Sequence, residues 1–133
     1  MDLISDRKVS FTQSVPLFYN NFANFSGRSS RGAYWWWILA SYIIAYSIAF
    51  CEAFSGGAYD YDNEFSVISS LFTLVNIIPN IALVTRRLHD VGRSGWWYLI
   101  VITVIGIIPF LYWVCKKGDT GPNKYGEDIE AGR

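Results

Sequence analysis

Arg86-Arg87-Leu88-His89-Asp90-Val91-Gly92-Arg93-Ser94-Gly95-Trp96-Trp97 is the stretch that decides the fold. It crowds three arginines, the only histidine and an aspartate together between two long apolar runs. Charge this dense beside hydrocarbon-like sequence reads as a short loop at a membrane surface. The tryptophan pair that follows it suits headgroup depth, where an amphipathic ring is most stable.

The rest of the composition agrees with that reading. At 133 residues the chain is one domain at most. Its hydrophobic fraction is 52%, only slightly above the ~45–50% of soluble proteins, so the distribution carries the information. Charges cluster, apolar segments fill the gaps, and tryptophans sit beside arginines at the segment ends. The formal net charge is +0, which gives no long-range attraction for nucleic acid. Cys51 and Cys115 lie far apart without metal-type spacing and read as small hydrophobes.

Three spans are expected, at about 34–54, 65–85 and 96–115, each long enough to cross ~30 Å of hydrocarbon. The first opens on Tyr34 and the anchors Trp35, Trp36 and Trp37, and carries Ser41, Ala45 and Ala49 as a small-residue groove with Glu52 one turn on. The second places Ser66, Ser69, Ser70, Thr73, Asn76 and Asn80 on one side, with Arg87 extending it. Pro79 frees a backbone carbonyl there, so a kink is expected. A polar stripe in a bilayer faces protein or water rather than lipid. The third span, anchored by Trp96 and Trp97, has few polar groups. A single crossing is preferred for it; a re-entrant hairpin turning between Gly106 and Pro109 is the alternative.

Residues 1–33 hold no uninterrupted apolar core, so no cleavable signal peptide is expected. Ser14 ahead of Pro16, then Phe18, Phe22 and Phe25, predict a short amphipathic helix over about 15–25. It lies in the membrane interface or packs on the protein. The chain thus divides into a basic N-terminal segment (1–33), a membrane domain (34–117) and a polar, turn-rich tail (118–133). Arg7, Lys8, Arg28 and Arg31 before span one, and Arg86, Arg87 and Arg93 after span two, belong in the cytoplasm. The acidic loop 55–64 belongs outside. A third crossing would put the lysine-bearing tail outside, against the same rule; a hairpin would return it.

No catalytic constellation is complete. His89-Asp90 suggests a metal, but the chain has one histidine, and Glu64 and Asp119 are assigned to the opposite face. Asp119-Thr120-Gly121 matches an aspartic-protease tripeptide without the second carboxylate or the β-rich cleft. No metal or cofactor is expected. Asp90 should instead pair with Arg86, Arg87 or Arg93, and His89 should bond a backbone carbonyl. The paired guanidiniums of Arg86 and Arg87 also suit phosphate, so an anionic lipid headgroup is the expected partner of the loop, with Arg28, Arg31 and Arg93 in the same lipid-binding or structural set.

Phe25-Ser26-Gly27-Arg28-Ser29-Ser30-Arg31 with Tyr34-Trp35, Pro79 ahead of Arg86-Arg87-Leu88-His89-Asp90, Ser94-Gly95-Trp96-Trp97, and Gly121-Pro122-Asn123-Lys124-Tyr125-Gly126 form a specific combination. It resembles the domain-of-unknown-function 805 family from about Leu17 to Asp128. The family's Gly-x-Asp-Pro ending is replaced here by Gly126-Glu127-Asp128-Ile129. The resemblance implies a small bacterial inner-membrane protein of helical fold, with no activity attached. The leading expectation is a non-enzymatic membrane protein that self-associates or meets other membrane proteins. The other is a small channel or transporter lined by Ser69, Thr73, Asn76 and Asn80, with Arg87 at its mouth.

Overall fold

The computed structural model describes residues 9–55 and 67–131. The expected acidic loop, Arg7, Lys8 and Ser66 lie outside the described residues. The elements are helical throughout: α1 (Phe11–Asn20), α2 (Arg31–Phe54), α3 (Val67–Asp90), a 3₁₀ segment (Gly95–Ile102), one 3₁₀ turn (Val104–Gly106) and α4 (Ile107–Cys115).

α2 begins earlier than Tyr34 because Ser30 is its N-cap, its hydroxyl accepting from the Ala33 N–H at 3.1 Å. α2 and α3 are long and apolar enough to cross a membrane. Their surfaces point the same way. Tyr46, Phe50, Phe54, Val67 and Leu74 are all more than 60% exposed, and so are Ile102, Val104 and Ile105. The buried set includes Arg28, Arg86, Arg87, Asp90, Asn76 and Ser30. Water would penalise an apolar exterior of this extent, whereas acyl chains would not.

α1 differs from its expected bounds. Ser10 starts it, its backbone N–H donating to Gln13 Oε1 at 3.1 Å, so Pro16 falls inside the helix. Asn21 ends it by donating from Nδ2 to the Leu17 carbonyl, which leaves Phe22 and Phe25 outside. The helix packs on the protein through Phe18, whose ring stacks on Trp37 with centroids 3.5 Å apart.

Two larger corrections concern the charged stretch and the third span. α3 does not stop near Thr85; it continues through Arg86-Arg87-Leu88-His89-Asp90, so this motif is the last turn of a helix rather than a loop. Cations there meet the negative end of the helix dipole. The expected single helix at 96–115 is not formed. The chain breaks at Thr103, whose hydroxyl accepts from the Gly106 N–H, and then turns back. The limbs lie against each other through Trp97–Trp113 and Tyr98–Phe110, with centroids 5.6 and 5.5 Å apart. At ~2.0 Å per residue for the first limb and ~1.5 Å for α4, each reaches only about half of a ~30 Å hydrocarbon core. Gly106 makes the bend: a Cβ there would stand 1.9 Å from the Ile100 carbonyl oxygen.

Candidate functional site

The bend returns α4 to the Asp90 end of α3, and there the sequence motifs meet. Asp90 is 1% exposed and accepts from two arginines. Arg28 Nε reaches Oδ1 at 2.8 Å, and Arg87 Nη1 reaches Oδ2 at 2.5 Å. Arg28 comes from the turn before α2, Arg87 from α3 itself. One carboxylate thus joins two segments distant in sequence.

The guanidiniums spend their remaining donors on carbonyls. Arg87 donates to Val114 at 3.2 Å, to Ser29 and Trp113 at 3.4 Å, and to Lys116. Arg31 donates to Cys115 at 3.4 Å. A helix end leaves its last carbonyls without intrahelical donors. Here arginines from outside α4 supply them, a favourable placement of cations at the negative end of a dipole. Arg28 donates to Gly121 at 2.9 Å and Asp119 at 2.5 Å, tying in the tail. The Asp119 N–H in turn donates to the Asp90 carbonyl at 2.7 Å. Gly118 makes that approach possible, since a Cβ would lie 2.1 Å from Asp90 Oδ2.

His89 closes the outside of the knot. Its Nδ1 lies 3.0 Å from the Gly27 carbonyl, and its ring stacks on Tyr125 with centroids 3.9 Å apart. Asn123 Nδ2 donates to the His89 carbonyl at 2.9 Å. Further along the tail, the Asp128 carboxylate accepts from the backbone N–H of Gly121 and Glu130, and these bonds hold its pKa below the ordinary carboxylate value.

The expected pairing of Asp90 with Arg87 is present, and so is the His89–carbonyl bond. Arg28, a candidate headgroup-binding or structural cation, is a second partner of Asp90 beyond the expected Arg86, Arg87 and Arg93. Arg86 is buried, its Nε donating to the Ala82 carbonyl and its carbonyl accepting from Ser29 N–H. Arg93 instead lies outside the knot, its guanidinium carbon 5.5 Å from the Trp97 ring centre and 5.0 Å from that of Trp113. Asp119, assigned from sequence to the opposite face, sits beside Asp90. Cys51 and Cys115 are both free and exposed. They fall at opposite ends of α2, because Cys115 meets Arg31. Among the described residues no cluster of three or more His, Cys, Asp or Glu side chains could hold a metal.

The polar stripe of α3 faces α2 and α1. Ser69 donates to Glu52 Oε2 at 2.8 Å, Asn76 Oδ1 accepts from Tyr19 at 3.0 Å, and Asn80 Oδ1 accepts from the Trp37 indole at 2.9 Å. Thr73 donates to the Ser69 carbonyl of its own helix. Ser41, Ala45, Thr73, Asn76 and Asn80 line an open groove of about 410 Å³ between α2 and α3. Of the anchors, Trp35, Trp36, Trp96 and Trp97 are all exposed, at the starts of α2 and of the 3₁₀ segment.

An apolar exterior, two helices of spanning length and a saturated ionic centre at one end define a small helical membrane protein. The chain belongs to the family described as protein of unknown function DUF805, whose model matches residues 22–127. It is 35% identical over 113 residues to inner membrane protein YhaI of Escherichia coli K12, covering 84% of this chain and 91% of that one. It is 29% identical to inner membrane protein YhaH of the same strain, covering 81% and 88%. Uncharacterized protein YiiR is 26% identical, with coverage of 80% and 86%. No solved structure matches the chain.

Proposed function

We propose that this is a non-enzymatic inner-membrane protein whose Asp90 end lies at the cytoplasmic leaflet and engages anionic lipid headgroups. The names of its relatives support the membrane assignment, and the arginines before α2 and at the end of α3 support the orientation. The tail then lies in the cytoplasm too, because Arg28 and Asp90 hold Asp119 and Gly121 beside them. A re-entrant hairpin at 95–115 removes the conflict that a third crossing creates with the positive-inside rule.

One observation carries the lipid assignment: the cations at this end fall into two populations. Arg28, Arg86 and Arg87 are buried, 4% exposed or less, and Arg28 and Arg87 direct their forks at Asp90 and at carbonyls. These cations hold the fold together. Arg93, Lys116, Lys117 and Lys124 are exposed, and Arg93 is propped on two tryptophans. These cations meet phosphate, each attracting an anionic surface by about 1 kcal/mol. The headgroup contact expected of the Arg-Arg-Leu-His-Asp motif therefore passes to residues just beyond it.

The channel reading finds less support. Arg87 is 0% exposed inside the knot, and the Trp37–Asn80 bond bridges α2 and α3 at the Asp90 end of the groove.

The combined variant Arg93→Gln, Lys116→Gln and Lys117→Gln tests the proposal. It should assemble normally yet retain markedly less anionic phospholipid through detergent purification. Unchanged lipid in a folded triple variant would remove the headgroup assignment.

A further inference from the structure

The groove between α2 and α3 is lined by polar side chains, several of them already hydrogen-bonded. Both amide oxygens accept: Asn80 Oδ1 from the Trp37 indole, Asn76 Oδ1 from the Tyr19 hydroxyl. Asn76 Nδ2 donates to the Phe72 carbonyl at 2.6 Å. The hydroxyls of Ser41 and Thr73 donate to carbonyls of their own helices. Two donors remain among the lining residues, the Asn80 amide NH₂ and the Tyr42 hydroxyl, and neither has a partner among the described residues.

At ~1.5 Å per residue, Asn80 lies ~15 Å along α3 from Asp90, near the middle of a ~30 Å core. Donors at that depth find no water and no headgroup, and a polar group left without a partner in hydrocarbon is costly. What satisfies them must arrive through the bilayer. It must be neutral, since charge at this depth is disfavoured. It must bring acceptors for the Asn80 amide and the Tyr42 hydroxyl. Tyr42 from α2 and Phe72 from α3 add aromatic surface, which favours a flat ring over a branched glycerol ester. The volume of about 410 Å³ falls within the ~300–1,000 Å³ usual for small-molecule sites, and the groove is open, so a hydrocarbon tail can leave it sideways.

We propose that the α2–α3 groove binds the ring of a lipid-soluble carbonyl compound of the quinone class, with Asn80 and Tyr42 donating to its carbonyl oxygens. The proposal concerns binding alone; it rests on the membrane placement of the Asp90 end proposed above, and not on the headgroup contacts of the exposed cations.

The test uses the full chain in phospholipid nanodiscs and a radiolabelled benzoquinone carrying a decyl tail, counted against empty discs. The native chain should retain the probe in excess of empty discs. Asn80→Leu, which removes a donor, should weaken binding at least tenfold. Ala45→Phe, which fills the groove and leaves every hydrogen bond in place, should do the same. Its melting transition should not move. If Asn80→Leu does not fold, Ala45→Phe with Tyr42→Phe decides the matter. Retention no greater than in empty discs overturns the proposal, as does full binding by a folded Ala45→Phe. So does native mass spectrometry that finds the groove blocked by a phospholipid or by a second copy of the chain. The Arg93/Lys116/Lys117 triple variant should bind the probe like the native chain, which separates failure here from failure of the headgroup assignment.

Discussion

The two ends of the α2–α3 pair are held together by different means. At the Asp90 end, one carboxylate and three arginines bind the turn before α2, the last turn of α3, the end of α4 and the tail. Toward the far end, Ser69 and Glu52 form the side-chain bond across the pair, and the groove opens below them. Hydrocarbon offers helices no hydrophobic drive to associate, so contact depends on packing and on polar bonds. The difference shows that this chain concentrates its polar bonds where they can share charge, and leaves an open groove between α2 and α3.

The comparison is broken most completely by Asp90→Ala. It leaves Arg28 and Arg87 buried without their carboxylate, and removing one partner of a buried pair costs about 3–5 kcal/mol. The variant should be recovered in low yield with a strongly lowered melting transition in detergent, and a transition like that of the native chain would show that the carbonyls alone hold the arginines. Gly118→Ala comes next. Its methyl would meet the Asp90 carboxylate, so a loss of about 1–3 kcal/mol is expected, as for overpacking elsewhere. Thermal unfolding of the purified variant measures it, and Thr120→Ala, at an exposed neighbour, is the control.

Ser69→Ala sharpens the contrast from the other side. Interhelical bonds of this kind in membranes average ~0.6 kcal/mol, so the same measurement should move only slightly. A loss as large as that of Asp90→Ala would erase the distinction between the ends. The smallest effect belongs to Asp128. Because its folded pKa is lowered, the stability it contributes is complete above the ordinary carboxylate value of 3.8 and is lost as the pH falls through the lowered value. Acidification through that window should loosen the tail, seen as faster hydrogen exchange at the Gly121 and Glu130 amides. Asp128→Asn should remove the pH dependence.

Much of this architecture was legible in the sequence, for reasons that explain what was not. The spans of α2 and α3 announce themselves by length and apolar run, and the polar stripe by its helical period. The His89 bond and the Arg87–Asp90 pair follow from proximity along the chain. The pairing of Arg28 with Asp90 is not legible, because the two lie 62 positions apart and turns carry no periodic signal. The only hint was that Gly27-Arg28-Ser29 and Gly118-Asp119 are turn-forming and charged, features shared by many solvated loops. The third segment was ambiguous for a physical reason: apolar content sets whether a stretch enters hydrocarbon, but Gly106 and Thr103 set whether it continues. Burial of the Arg86-Arg87 pair is not legible in the sequence, because a guanidinium fork that suits phosphate suits backbone carbonyls equally well.

The tail's place in the knot has a bearing on biosynthesis. The carbonyls that quench Arg28 belong to Asp119 and Gly121, among the last parts of the described chain to be made. A nascent polypeptide halted before them holds Arg28 short of the acceptors that complete its shell. Completion of the ionic centre therefore waits until residues 119 and 121 have been made.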